Sequence, residues 1–141
     1  MVAKWKRVVS AVFICGEKVF LCLEWSNGAK GDYWFTPGGK VKGREKELAA
    51  MKRELREELG LRPEFLNQLC FRRYYGQRVV WGGQKLYITH FLIELDEKFQ
   101  FHLLAKQKKS GWFSKLPDGG IPEQVDVLFL KLRLDGLIPK S

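Results

Sequence analysis

A chain of 141 residues is long enough to bury a core without disulfides or a structural metal, and is expected to form one domain over residues 1–141. Its 45% hydrophobic and 29% charged composition excludes a disordered polymer, and no stretch approaches the roughly 20 apolar residues that cross a membrane. The formal net charge of +9 favours a polyanionic partner through steering and phosphate neutralisation.

The opening MVAKWKRVVSAVFICGEK has a basic start and an apolar run, superficially like a secretory leader. The run is only about eight residues, rich in β-branched side chains and followed at once by Glu17 and Lys18, so it reads as a first strand. RVVSAVFIC and KVFLCLEW are then two strands joined at Gly16-Glu17 by a tight hairpin turn. SNGAKGD is a loop by composition, and YWFTPGG is a short strand ending in a Pro-Gly-Gly break, with Gly38 and Gly39 in a loop. A helix is expected over residues 45–59, because Leu48, Met51, Leu55 and Leu59 recur at helical spacing and Gly60 supplies the stop. PEFLNQLCFRRYYGQ and QKLYITHFLIEL read as two longer strands around a loop RVVWGG, and SGWFSKLPDGG as a short strand and turn. A last helix is expected after Pro122, with Val125, Leu128, Phe129 and Leu132 on one face. Together these elements imply the α/β or α+β class, a mixed sheet covered by helices. Cys15, Cys22 and Cys70 are odd in number and widely spaced, which argues against zinc and for reduced thiols in the cytoplasm.

The middle helix carries Glu54, Glu57 and Glu58 near its C-terminal end, where both like-charge repulsion and the helix dipole oppose them. They fall on a face adjoining the leucines, so the helix can dock while presenting carboxylates beside the Gly38-Gly39 backbone. That is an oxygen donor set suited to Mg²⁺ together with substrate phosphates. Lys52, Arg53 and Arg56 offer an alternative reading as partners on a solvated charged face.

A longer pattern decides between these. Gly39, Glu45, Arg53-Glu54-Leu55, Glu57-Glu58 and Gly60-Leu61 reproduce the Nudix box at every fixed position, and the chain resembles a Nudix hydrolase. The resemblance implies a mixed β-sheet between helices and Mg²⁺- or Mn²⁺-dependent hydrolysis of a nucleoside diphosphate linked to a further group. It also implies that Glu54, Glu57, Glu58 and the Gly39 carbonyl are the metal ligands, with Arg53 and Glu45 orienting the catalytic helix. One carboxylate must take the proton from water. Glu54 is the first choice, and Glu123, at the start of the last helix, is the alternative.

The substrate is read from FRRYYGQRVVWGGQK, which interleaves Arg72, Arg73, Arg78 and Lys85 with Tyr74, Tyr75 and Trp81, as single-stranded nucleic-acid sites do. GGQKLYITHFLIEL is similar to bacterial RNA pyrophosphohydrolases, whereas PGGKV is closer to MutT-like enzymes that cleave free nucleoside triphosphates. The expected substrate is therefore a 5′-triphosphorylated RNA end, with a free nucleotide as the alternative. Dinucleoside polyphosphates, nucleotide sugars and a catalytically dead binding domain are further readings. His90, His102 and the KQKK run at 106–109 are read as packed or solvated groups rather than catalytic ones.

Overall fold

The computed structural model describes residues 4–25, 31–96 and 109–140. Strands β1 (Lys6–Cys15), β2 (Lys18–Trp25), β3 (Asp32–Phe35), β4 (Gly38–Lys40), β5 (Arg72–Trp81), β6 (Gln84–Glu94) and β7 (Lys109–Phe113) form one mixed sheet. Helices α1 (Glu47–Leu59), α2 (Pro63–Leu66) and α3 (Glu123–Leu134) complete the described elements. The path through the sheet is β3-β2-β1-β6-β5, with β4 paired to β1 and β7 to β2. Strand β1 runs parallel to β6 along its length, and antiparallel to β2 and β4.

The period-two pattern of β1 divides the core between two faces. Val9, Ala11 and Phe13 pack with Phe20 and Cys22 under Ala50, Met51, Leu55 and Leu59 of α1. Val12 and Ile14 pack with Val19 and Leu21 under Val125, Leu128, Phe129 and Leu132 of α3. The sheet is therefore sandwiched between α1 and α3, the mixed α+β architecture expected from the sequence. Burying each such side chain is worth about 1.5–3 kcal/mol relative to exposure. Cys15 and Cys22 are buried and Cys70 is exposed, all as free thiols. No helix among the described residues is long and apolar enough to cross a membrane.

Several expectations are corrected. Helix α1 starts at Glu47 rather than residue 45, because Glu45 lies outside the helix and accepts a hydrogen bond from the Lys42 N–H. Leu48 has the right phase but is 42% exposed, and Ala50 is buried instead. Phase alone does not say where along a helix its cover begins. The segment from Pro63 is not strand: Pro63 occupies the first turn of α2, where its missing N–H costs no helix bond. Residues 78–81 are not loop but continue β5, and only Gly82-Gly83 turn, both at positive φ, with Trp81 paired to Gln84. Gly38 and Gly39 are strand as well, opposite Ser10 and Val9 of β1. The Gly16-Glu17 turn is as expected, with φ of 57° and 60°, the primed geometry of a two-residue hairpin. Residues 26–30 of SNGAKGD, His102 and residues 106–108 of KQKK lie outside the described residues, and Lys109 opens β7.

Candidate active site

At about 100° per residue, Glu58 stands roughly 60°, Glu54 roughly 100° and Glu57 roughly 160° around α1 from the buried Leu55. This phase sorts the three acids. Glu58 is part-buried and its Oε2 accepts the Gly38 N–H at 3.4 Å. The Glu54 carboxylate lies over Gly39, where a Cβ would stand 2.3 Å from its Cδ and 2.5 Å from each oxygen. Glu57, 54% exposed at its side chain, turns away.

Arg53 holds the group together. Its Nε and Nη2 donate to the two oxygens of Glu45 at 2.8 and 3.0 Å, a bidentate pair, and Nη2 also donates to the Lys40 carbonyl at 2.9 Å. Its Nη1 donates to Glu54 Oε1 at 2.9 Å and Glu57 Oε2 at 3.2 Å. One guanidinium therefore ties α1 to the end of β4 and to the segment between them. The Arg53 hydrogen bonds, then the Lys42 N–H, lower the Glu45 pKa to about 2, while Glu45 and Glu54 raise that of Arg53.

Burial, then the Glu24 and Glu54 carboxylates, push Glu58 up to about 9. Burial, with the same Glu24 and with Glu58, also raises the Cys22 thiol. Acids from β2 and α1 thus crowd one locus beside Gly39. Their hard oxygen donors and mutual repulsion fit Mg²⁺ or Mn²⁺ in kind. Among the described residues no three acidic, histidine or cysteine side chains already converge in ligand geometry. Arg53 Nη1 holds both Glu54 and Glu57, so a cation bound by all three glutamates would compete with that nitrogen for two of them.

Beside this locus, on the α3 face of the sheet, lies a cavity of about 140 Å³. Val8, Ser10, Ile88 and His90 line it from β1 and β6, Gln124 and Val125 from α3, and Thr36, Gly38, Gly39 and Glu24 on the side of the acids. Trp81 and Phe35 add aromatic walls, with ring centroids 5.7 Å apart, and Tyr33 braces Trp81 edge-on at 4.9 Å.

The structure therefore brings together Gly39, Glu54, Glu58 and Trp81 from the sequence-derived set. Arg72 and Arg73 stand at the other end of β5, paired with Glu94 at 3.6 Å and Glu47 at 2.7 Å. Arg78 and Lys85 lie outside the cavity lining, each against the Trp5 ring at 5.5 and 5.7 Å. Glu123 opens α3 as a first-turn acid but does not line the cavity; its neighbour Gln124 does. His90 is packed: it is 2% exposed, stacked on Tyr75 at 4.5 Å, and burial lowers its pKa to about 3.

Glu24, Gln124, Ser10 and Thr36 were not singled out by the sequence. A signal existed for two of them. Ser10 interrupts the apolar run of β1, and Glu24 falls on the same strand face as Phe20 and Cys22, where a core residue is due.

The NUDIX domain family matches residues 4–114. An 8-oxo-dGTP diphosphatase of Buchnera aphidicola subsp. Schizaphis graminum is 36% identical over 73 residues, which cover 51% of this chain and only 56% of that relative. Among solved structures, the MutT protein from Methanosarcina mazei Go1 superposes with a TM-score of 0.74 at 15% identity, covering 96% of this chain and 98% of that one. A bifunctional NMN adenylyltransferase/ADP ribose pyrophosphatase from Francisella tularensis, in complex with AMP and a Mn ion, superposes with a TM-score of 0.71 at 18% identity, covering 95% of this chain and 42% of that one. These structural likenesses establish the fold, and the domain match spans β1 to β7 with the whole acidic helix between them, so the chain belongs to the Nudix hydrolase family.

Proposed function

We propose that the chain is a Mg²⁺- or Mn²⁺-dependent pyrophosphohydrolase that cleaves a nucleoside 5′-triphosphate to the monophosphate and pyrophosphate. The observation that carries this is continuity: the aromatic-walled cavity opens directly onto Gly39 and Glu24, beside Glu54 and Glu58. A base held at Trp81 would thus direct its phosphates to the acids. The Gly39 carbonyl, Glu54, Glu57 and Glu58 would hold the cation, which supplies charge neutralisation on the phosphates and acidifies the attacking water. Glu54, fixed by Arg53 and by the space above Gly39, takes the proton from that water. Arg53 positions the helix. One P–O bond forms to water at the α- or β-phosphorus, the α–β anhydride P–O bond breaks, and the departing group, pyrophosphate or the nucleoside monophosphate respectively, carries the electron pair on the former bridging oxygen.

The named activity of the Buchnera relative supports a free nucleoside triphosphate as substrate. The RNA-end reading rests on a different feature. Lys6 and Lys40 both donate to Gln84 Oε1 at 3.1 and 3.2 Å, while Arg78 and Lys85 flank Trp5. Among the described residues none of these four cations is paired with a carboxylate, so they form a positive track able to follow a nucleic-acid backbone.

The test compares kcat/KM for free triphosphates, 8-oxo-dGTP included, with a short 5′-triphosphorylated RNA at low and physiological salt. Preference for the free nucleotide with release of pyrophosphate sustains the first reading. An RNA preference that shrinks as salt rises moves the substrate to the second. Hydrolysis of neither, with nucleotide sugars or dinucleoside polyphosphates cleaved instead, overturns both.

A further inference from the structure

Helix α3 is apolar on two sides. Val125, Leu128, Phe129 and Leu132 face the sheet and are buried. Val127, Leu130 and Leu134 are 39%, 54% and 74% exposed. At about 100° per residue these three fall, with Glu123, within an arc of roughly 60° on the opposite side of the helix. Positions 123, 127, 130 and 134 follow one another by four, three and four residues, the spacing of the seam along which two helices pair. Among the described residues the other large apolar side chains left exposed are Leu48 and Val80, and neither is on α3. A single exposed leucine needs no explanation, whereas a contiguous apolar stripe marks an interaction surface.

The charges on α3 say what covers the stripe. Glu123 and Asp126 lie in its first turn and Lys131 and Arg133 in its last, so the helix is neutral within a chain of net charge +9. Acids beside the apolar stripe oppose a nucleic acid or an anionic membrane surface as the occupant. The order of acid then base is instead complementary to its own reverse. Lys131 is paired with Asp135 at 3.0 Å, but Glu123, Asp126 and Arg133 make no ion pair among the described residues. Asp126 and Arg133 stand on the same flank of the stripe, within roughly 20° of each other around the helix. In an antiparallel pair related by a two-fold axis, each flank meets the same flank of the other copy. Asp126 of one copy then faces Arg133 of the other and the reverse, while Val127 packs against the second copy's Leu130 and Leu130 against its Val127.

We propose that α3 is a self-association surface, on which two copies of this chain pair antiparallel through Val127, Leu130 and Leu134 and are set in register by reciprocal Asp126–Arg133 ion pairs. One helix about 18 Å long covers less than the roughly 800 Å² per partner of a stable complex, so the dimer is weak, with a Kd of about 10–100 µM. Repulsion between two copies of charge +9 is confined at physiological salt to a screening length of about 8 Å, and the charges nearest the seam are the complementary ones.

Sedimentation equilibrium of the full chain at physiological salt tests the pairing. The wild type should show a monomer–dimer equilibrium in that range. Leu130→Glu, at a site more than half exposed, should weaken it at least about tenfold, with Tm at low concentration unchanged. Asp126→Arg alone and Arg133→Asp alone each set like charges against one another at both reciprocal contacts, and each should weaken association several-fold. An equimolar mixture of these two variants should associate as tightly as the wild type, because each supplies what the other lacks. The two substitutions move the net charge by the same amount in opposite directions, so a bulk charge effect would loosen Asp126→Arg and tighten Arg133→Asp. That result, a mixture no tighter than its separate components, association untouched by Leu130→Glu, or a wild type that stays monomeric up to roughly 1 mM would each overturn the inference.

Discussion

Replacing Gly39 with alanine separates the placement of Glu54 from the stability of the sheet. The new Cβ would lie 2.3 Å from Glu54 Cδ and 2.5 Å from each of its oxygens, and ordinary van der Waals contact begins near 3.4 Å, so the carboxylate must retreat by about 1.1 Å. The backbone at Gly39 is not in the left-handed region, so alanine adds no torsional strain there. Glu54 is the far end of a flexible side chain, and the cost to folding is expected to be the weakened bond to Arg53, about 1–2 kcal/mol. Catalysis is less forgiving, because a misplacement of about 1 Å costs on the order of 100-fold. Gly38→Ala is the contrasting variant: there the Cβ would stand 2.0 Å from the Val9 carbonyl oxygen, a backbone atom that cannot swing aside. The expected pattern is a folded, nearly inactive Gly39→Ala and a strongly destabilised Gly38→Ala, read from kcat/KM for pyrophosphate release and from Tm. Wild-type turnover in Gly39→Ala would refute the role given to Glu54. A collapse of its Tm to that of Gly38→Ala would refute the steric argument.

Four further outcomes are expected. Arg53→Ala should lower both turnover and stability, the latter by about 1–3 kcal/mol, and Arg53→Lys should not rescue it, because lysine cannot reproduce the bidentate fork on Glu45; a purely catalytic loss with unchanged Tm contradicts this. Glu57→Gln should reduce turnover by orders of magnitude while costing only about 0.5 kcal/mol of stability, since it removes one half-exposed ion pair; full activity in Mg²⁺ would remove Glu57 from the ligand set. Glu58, whose folded pKa of about 9 lies above its unfolded value, binds its proton more tightly when folded, so metal-free stability should fall as pH rises from about 4.5 to 9, and Glu58→Gln should flatten that slope in chemical denaturation. His90 and Glu45 run the other way: their folded values of about 3 and about 2 lie below the unfolded ones, so their contributions are present at neutral pH and lost in acid, and His90→Phe should remove the part lost below about pH 6.5.

How much of this was legible in the sequence depends on whether a feature is periodic or long-range. Helix α3 was readable because Val125, Leu128, Phe129 and Leu132 follow one stripe, and the β1–β2 hairpin because Gly16-Glu17 is a turn signal between two β-branched runs. The fixed spacing of the Nudix box placed Gly39 and the three glutamates in one neighbourhood. It did not show that Arg53 claims Glu57, since that depends on side-chain direction. The segment 71–85 misled for a related reason. Its cations and aromatics interleave in sequence, but a ten-residue strand sends Arg72 and Arg73 to one end and Trp81 to the other. Gln124 was illegible because nothing local distinguishes a buried amide on α3 from an exposed one.

What joins the acidic helix to the cavity is a branch in the sheet. Helix α1 and the cavity lie on opposite faces, and a continuous sheet would keep them apart. Strand β1 pairs with β2 only at Ile14 and Cys15, and its earlier residues Val8, Val9 and Ser10 pair with β4 instead. Where β2 and β4 diverge, the sheet is interrupted, and Gly38 and Gly39 line the cavity while contacting Glu58 and Glu54 from the other side. Two residues without a Cβ at that branch leave room for carboxylates on one face and for a ligand on the other. The divergence of β2 from β1 also turns Glu24, from the α1-facing side of its strand, to the same opening. The acids, the open backbone and the cavity therefore meet because β1 exchanges partners partway along its length, and a substitution that forced β2 to follow β1 would separate them without touching any of the residues that carry the chemistry.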